Sequence, residues 1–143
     1  DLKWSSGLAN SSQEYAEILI ELEDCTIRHY VNNNTLGGEN LVYNWNRKNN
    51  PMSPDVVSNM WFDKERDLGL WDKLHLTQMV WRSTQYLGCG LASKDLRGGK
   101  CFIQVCRYVR PGNCGITEKN WEQEMLAEST RCEPSCPPEG CFE

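Results

Sequence analysis

Residues 8–22 place apolar or small side chains at Leu8, Ser12, Tyr15, Leu19 and Leu22, while Glu14, Glu17, Glu21 and Glu23 fall mostly elsewhere. That stripe has the period of an amphipathic helix, and Cys25 stands just past its end. His29 follows, then a polar stretch from Tyr30 to Gly38, rich in asparagine and threonine, that reads as an ordered loop. Residues 39–43 read as a short strand and residues 45–52 as an irregular polar segment. Ser53-Pro54 marks a helix start, with Ser as cap and Pro at the first helical position. This helix is predicted to run to about Arg66, with Val57, Met60 and Trp61 on one face.

The segment 75–84 and the Leu87-Gly88-Cys89-Gly90 after it stand at the centre of the pattern. The segment spans about three helical turns without Gly or Pro. His75 and Met79, Leu76 and Val80, and Thr77 and Trp81 are each four apart, so each pair stacks on one helix side. A helix apolar over most of its girth is buried. A histidine in its first turn is then either a satisfied core residue or part of a site. Two strands are predicted next, 87–92 and 100–109, joined by a turn at Gly98-Gly99. In the second, Ile103, Val105 and Val109 point one way and Phe102, Cys106 and Tyr108 the other. Both faces are apolar, so both are covered. Helices are the available cover, which predicts an α+β fold, a three-layer α-β-α sandwich.

From Cys114 the pattern changes. A short helix is predicted over 118–128, and then Cys132, Cys136 and Cys141 sit among Pro134, Pro137 and Pro138. Too little apolar material remains there for a core, so disulfides are expected to hold this extension. The expected division is a domain over 1–113 and a cysteine-rich extension over 114–143.

A chain of 143 residues fits one domain and can bury a substantial core. Eight cysteines with no CxxC pair read as a disulfide-stapled, secreted protein. Two glycosylation sequons, Asn10-Ser11-Ser12 and Asn33-Asn34-Thr35, suit that compartment. No apolar run approaches the roughly 20 residues that span a bilayer, and no leader segment is recognisable, so a processed form is expected. The net charge of −5 argues against nucleic-acid binding and against attraction to anionic lipid. Six tryptophans exceed the needs of a core this size, and a surplus can line a groove.

Several blocks then converge. They are Leu2-Lys3-Trp4-Ser5 with Leu8-Ala9, Ser12 and Tyr15-Ala16; Gly38-Glu39-Asn40-Leu41; Trp61-Phe62; His75-x-Thr77-Gln78-Met79-Val80-Trp81; Leu87-Gly88-Cys89-Gly90; and Cys106-Arg107-Tyr108-x-x-Pro111-Gly112-Asn113. In this order, over residues 2–113, the chain resembles the CAP superfamily of cysteine-rich secretory proteins, antigen-five venom allergens and pathogenesis-related class-one proteins. The resemblance implies an α-β-α sandwich with a cleft holding two histidines and two acids. Matched position by position, the histidines are His29 and His75 and the first acid is Glu39. The second acid's position is taken by Lys64, a departure from the family pattern. Glu65, four residues after Trp61, is the alternative that a modest rotation would turn inward. A cation at Lys64 would repel a divalent metal and lower the histidine pKa values.

Two imidazoles and a carboxylate suit a weak, partly open site for zinc or another divalent cation. The competing expectation is that His29, Glu39 and His75 form a hydrogen-bonded structural cluster. Catalysis is not expected, because no activated nucleophile is in sight; a metal-dependent protease would have Glu39 as its clear general base. The resemblance also implies bridges Cys25–Cys101 and Cys89–Cys106, which leaves three connectivities for Cys114, Cys132, Cys136 and Cys141. It implies a further helix before residue 2; this sequence begins directly on the Leu2 block, so processing or a helix supplied otherwise is expected, with one layer thin and apolar surface open to a partner.

Family likeness does not set function. The first expectation is a secreted, non-enzymatic binding protein for a sterol or other lipid, with Tyr43 and Trp45 in a ligand-binding loop over 42–54. The second is an interaction factor that meets a protein receptor through its surface loops, in an immune, venom, reproductive or host-interaction role.

Overall fold

The computed structural model describes residues 2–30 and 37–133. Four strands form one sheet in the order β1-β3-β4-β2, with β1 at Lys3–Trp4, β2 at Gly38–Asn46, β3 at Tyr86–Leu96 and β4 at Gly99–Val109. β1 lies parallel to β3, and the other pairs are antiparallel. The β3–β4 hairpin turns through Arg97 (φ 51°) and Gly98 (φ 73°), the left-handed pair that a tight two-residue hairpin turn requires.

The alternation read along β4 decides the layers. Ile103 and Val105 pack with Tyr15, Ala16 and Leu19 of α1 (Ser6–Ile20) and with Leu41. Cys106 and Tyr108, on the opposite face, pack with Val42 and with Val57 and Trp61 of α2 (Pro54–Trp61). Met79 of α3 (Leu74–Met79) completes that second layer. The result is the three-layer α-β-α sandwich.

α1 has Ser5 as its cap, whose side chain accepts the Leu8 N–H, and of the expected stripe it buries Leu8, Ser12, Tyr15 and Leu19, ending before Leu22. The helix lies against β3 at two glycines. A Cβ on Gly88 would stand 2.2 Å from the Ala9 nitrogen, and one on Gly90 would stand 2.3 Å from the Gln13 nitrogen. Only glycine permits this approach, and Ser12 secures it by donating to the Gly88 carbonyl at 2.9 Å.

Several elements depart from the sequence expectation. β2 continues to Asn46, because its ladder with β4 runs on through Asn46 and Lys100 whatever the polarity of Asn44 and Asn46. The supposed 42–54 loop is therefore strand in its first half. α2 stops at Trp61 rather than near Arg66, and the Lys64 N–H then reaches Asn59 O, a wide turn that breaks the helical phase. The central segment is helical only over Leu74–Met79. Beyond it Trp81 and Thr84 close tight turns, and the Trp81 side chain packs on Met125 and Cys132.

Cys25–Cys101 and Cys89–Cys106 are both bridged, and Cys114 pairs with Cys132. Cys136 and Cys141 lie outside the described residues, as do most of the 30–38 loop and the Asn33 sequon. The extension is better packed than its composition suggested. Its helix is shorter than expected, α4 at Trp121–Leu126, but Met125, Ile116 and Trp121 gather on Trp81.

Candidate functional site

β2 is an edge strand, and its first residues feed a cleft from both faces of the sheet. Glu39 points to the α1 side and Asn40 to the α2–α3 side, as period 2 requires.

On the α1 side, Glu39 collects four donors. The His29 Nδ1 and the Tyr30 N–H each lie 3.1 Å from Oε1. Arg107, only 3% exposed, directs Nε and Nη2 at Oε2, at 3.3 and 3.2 Å. Its remaining nitrogen, Nη1, donates to the Ser11 carbonyl at 2.8 Å and to the Ser11 hydroxyl. The guanidinium lies 5.0 Å from the Tyr15 ring centroid and 5.4 Å from that of Tyr30. Burial alone would raise the Glu39 carboxyl, but the His29 bond, the Tyr30 N–H and the Arg107 charge outweigh it and hold it below its usual 4.5. The Glu39 hydrogen bond in turn holds the His29 imidazole above its usual 6.5, against the opposing effect of burial.

On the α3 side, Glu65 plays the matching part. Its Oε1 is 2.6 Å from His75 Nδ1, and its Oε2 accepts the Leu76 N–H at 3.0 Å. The His75 ring stacks on Trp61, with centroids 6.0 Å apart and planes 10° from parallel. Asn40 donates to the His75 carbonyl at 3.1 Å, which ties α3 to β2. Asn113 does the same from the loop after β4, accepting from Thr77 at 2.6 Å and donating to the Leu74 carbonyl at 2.9 Å.

Lys64 is therefore not the cleft residue; its side chain is exposed, while Glu65 is 8% exposed and faces inward. The wide turn after Trp61 shifts the phase by one position, so that Glu65 rather than Lys64 lines the cleft. The cation expected at Lys64 is not among the described lining residues of the cleft.

Both His–Glu pairs open onto one cleft of about 360 Å³, which Asn40, Trp71, Asp72, Leu74 and Asn113 also line. A histidine that donates Nδ1–H to a carboxylate keeps a lone pair on Nε2. The cleft thus offers two basic nitrogens. No Ser, Thr, Cys or Lys is among its described lining residues, and every described cysteine is bridged. Nor do three or more His, Cys, Asp or Glu side chains gather to hold a metal among the described residues. The donor set fits zinc only in part, as two imidazoles with water completing the shell.

Tyr43 and Trp45 lie far along β2. Tyr43 is 52% exposed. Trp45 donates its indole N–H to the Leu96 carbonyl at 2.8 Å, and its ring covers Gly99. Asn10 of the first sequon is exposed on α1, with Ser12 fully buried.

Arg107, Trp71 and Asp72 were not expected here. An arginine inside the apolar run 101–109 was a legible sign of a buried charge with a partner; residues 68–74 carried no such sign.

The chain matches the family model described as CAP, cysteine-rich secretory protein family, over residues 1–108, and it belongs to that family. It is 34% identical over 117 residues to a probable pathogenesis-related protein of Candida albicans, covering 78% of this chain and 32% of that protein. It is 26% identical over 147 residues to cysteine-rich secretory protein 2 of Homo sapiens, covering 94% of this chain and 56% of that protein. The solved structure of BmVAL-1 superposes with a TM-score of 0.57 at 28% identity, covering 78% of this chain and 60% of that one. The chain thus spans less than two thirds of each of these relatives. Among the described residues no helix is long and apolar enough to cross a membrane.

Proposed function

We propose that this chain is a secreted, non-enzymatic binding protein whose ligand site is the His–Glu cleft, and that the cleft takes a divalent cation weakly through Nε2 of His29 and His75. One observation carries the reading. Each imidazole is bonded through Nδ1 to its own carboxylate, Glu39 or Glu65, the outer-shell arrangement that orients a ligating ring. Two imidazoles without a third protein donor support weak, water-completed binding. The absence of a nucleophile among the described lining residues supports a binding role over a hydrolytic one. The eight cysteines support secretion.

The test is a calorimetric zinc titration at pH 7.5 on the wild type, His29→Ala, His75→Ala and Lys64→Glu. Weak binding in the wild type and in Lys64→Glu, lost in both histidine variants, is the expected result. No heat in the wild type overturns it.

A second reading, capture of a sterol or other lipid, is favoured by the half-exposed ring of Tyr43 on the edge strand. Sterol-containing vesicles should then retain the wild type and release Tyr43→Ser. Equal retention of both proteins removes the strand from consideration.

A further inference from the structure

Most polar groups of the cleft are already committed. Glu39 is engaged by Arg107, His29 and Tyr30, and Glu65 by His75 and the Leu76 N–H. Asn40 and Asn113 are spent on holding α3. Asp72 is different: its carboxylate is exposed at the cleft, and among the described residues no cation pairs with it. Trp71 stands beside it, 58% exposed, and also lines the cleft.

The turn that presents these two residues is fixed. Leu70–Asp72 form one turn of 3-10 helix with Leu70 buried. Lys73, the next residue, is turned away: its Nζ donates to the Arg66 carbonyl at 3.0 Å and lies 5.0 Å from the Trp121 ring centroid. The cation adjacent to Asp72 in sequence is thus engaged elsewhere. Three carboxylates and no Lys or Arg line the cleft among the described residues.

We propose that the mouth of this cleft takes the guanidinium of an arginine from a basic segment of a partner protein. A planar guanidinium stacks on an indole face while its N–H groups meet a carboxylate, which is the combination Trp71 and Asp72 supply. The net charge of −5 favours encounter with a basic partner. The proposal rests on the cleft's being a ligand site and is independent of metal, which would compete with the incoming cation.

The experiment is a calorimetric titration at low ionic strength, with chelator present. The ligands are a pentapeptide of alternating glycine and arginine and its counterpart with citrulline at the arginine positions. The proteins are the wild type, Trp71→Ala, Asp72→Asn and a charge control outside the cleft lining, Glu118→Gln, each checked for fold by circular dichroism. The arginine peptide is expected to bind at least about fivefold more weakly to the Trp71 and Asp72 variants than to the wild type. Glu118→Gln should bind like the wild type, and the citrulline peptide should bind weakly to all four proteins. Indistinguishable binding of the two peptides, no loss in either cleft variant, or no binding to the wild type overturns the proposal. Because chelator is present throughout, failure here leaves the zinc titration standing, and failure of zinc binding leaves this result standing.

Discussion

Arg107 and Glu39 face each other across β4 and β2, and two guanidinium nitrogens share the single oxygen Oε2 at 3.3 and 3.2 Å. The third nitrogen reaches across to α1 at Ser11. One buried cation thereby joins the helix layer to the sheet edge at the point where the cleft begins. Removing it leaves a carboxylate in a site built for an ion pair. Arg107→Ala is expected to lower unfolding free energy by about 3 kcal/mol or more. Chemical denaturation monitored by circular dichroism measures it, and a loss below about 1 kcal/mol would show that the pair does not hold the layers together.

The His29–Glu39 pair sets a pH window. His29 is raised above 6.5 in the folded state, so its contribution is full below 6.5 and is lost as pH rises through the raised value. Glu39 is held below 4.5, so its contribution is full above 4.5 and is lost as pH falls through the lowered value. Their joint contribution is therefore greatest between pH 4.5 and 6.5. Melting temperatures taken from pH 4 to 9 should decline on the alkaline side of that window in the wild type and less so in His29→Gln. Parallel profiles would rule the pair out as a source of pH dependence.

Glu65 and Lys64 are neighbours with opposite fates. Glu65 accepts the Leu76 N–H and fixes His75, whereas Lys64 is exposed. Glu65→Ala strands a backbone donor in the first turn of α3 and is expected to cost about 1–3 kcal/mol. Lys64→Ala should stay within about 0.5 kcal/mol of wild type. Equal effects in denaturation would mean that the side chains do not divide as described.

The same pair shows where sequence reading stops. Periodicity reported the two-faced β4, the α1 stripe and the Ser53-Pro54 start, because each depends on local repeats and caps. The family pattern carried His29, His75 and Glu39 to the cleft. The choice between Lys64 and Glu65 depended instead on a backbone bond from Lys64 to Asn59 that changes the phase after Trp61, and no side-chain pattern encodes it. Trp71 and Asp72 were out of reach for a related reason. Their placement follows from the burial of Leu70 and from the bond of Lys73 to the Arg66 carbonyl, which residues 68–74 do not reveal by themselves.

The approach of α1 to β3 gives the sharpest steric test, since it also sets the distance from Ser11 to Arg107. A Cβ on Gly88 would meet the Ala9 nitrogen at 2.2 Å, the Leu8 carbonyl carbon at 2.5 Å and the Leu8 Cβ at 2.6 Å. Two of these are backbone atoms in the first turn of α1 and have no rotamer to yield, so that end of α1 must lift from the sheet. Gly88→Ala is expected to cost about 3 kcal/mol or more, at the upper end of overpacking effects. Gly98→Ala is the matched control: its φ of 73° strains any side chain, but nothing lies within 4 Å of the added carbon. That substitution should cost only about 1–2 kcal/mol, the conformational penalty alone. Thermal melts of the two variants measure the difference. If Gly88→Ala melts no lower than Gly98→Ala, α1 does not sit on the sheet as closely as the two glycines require.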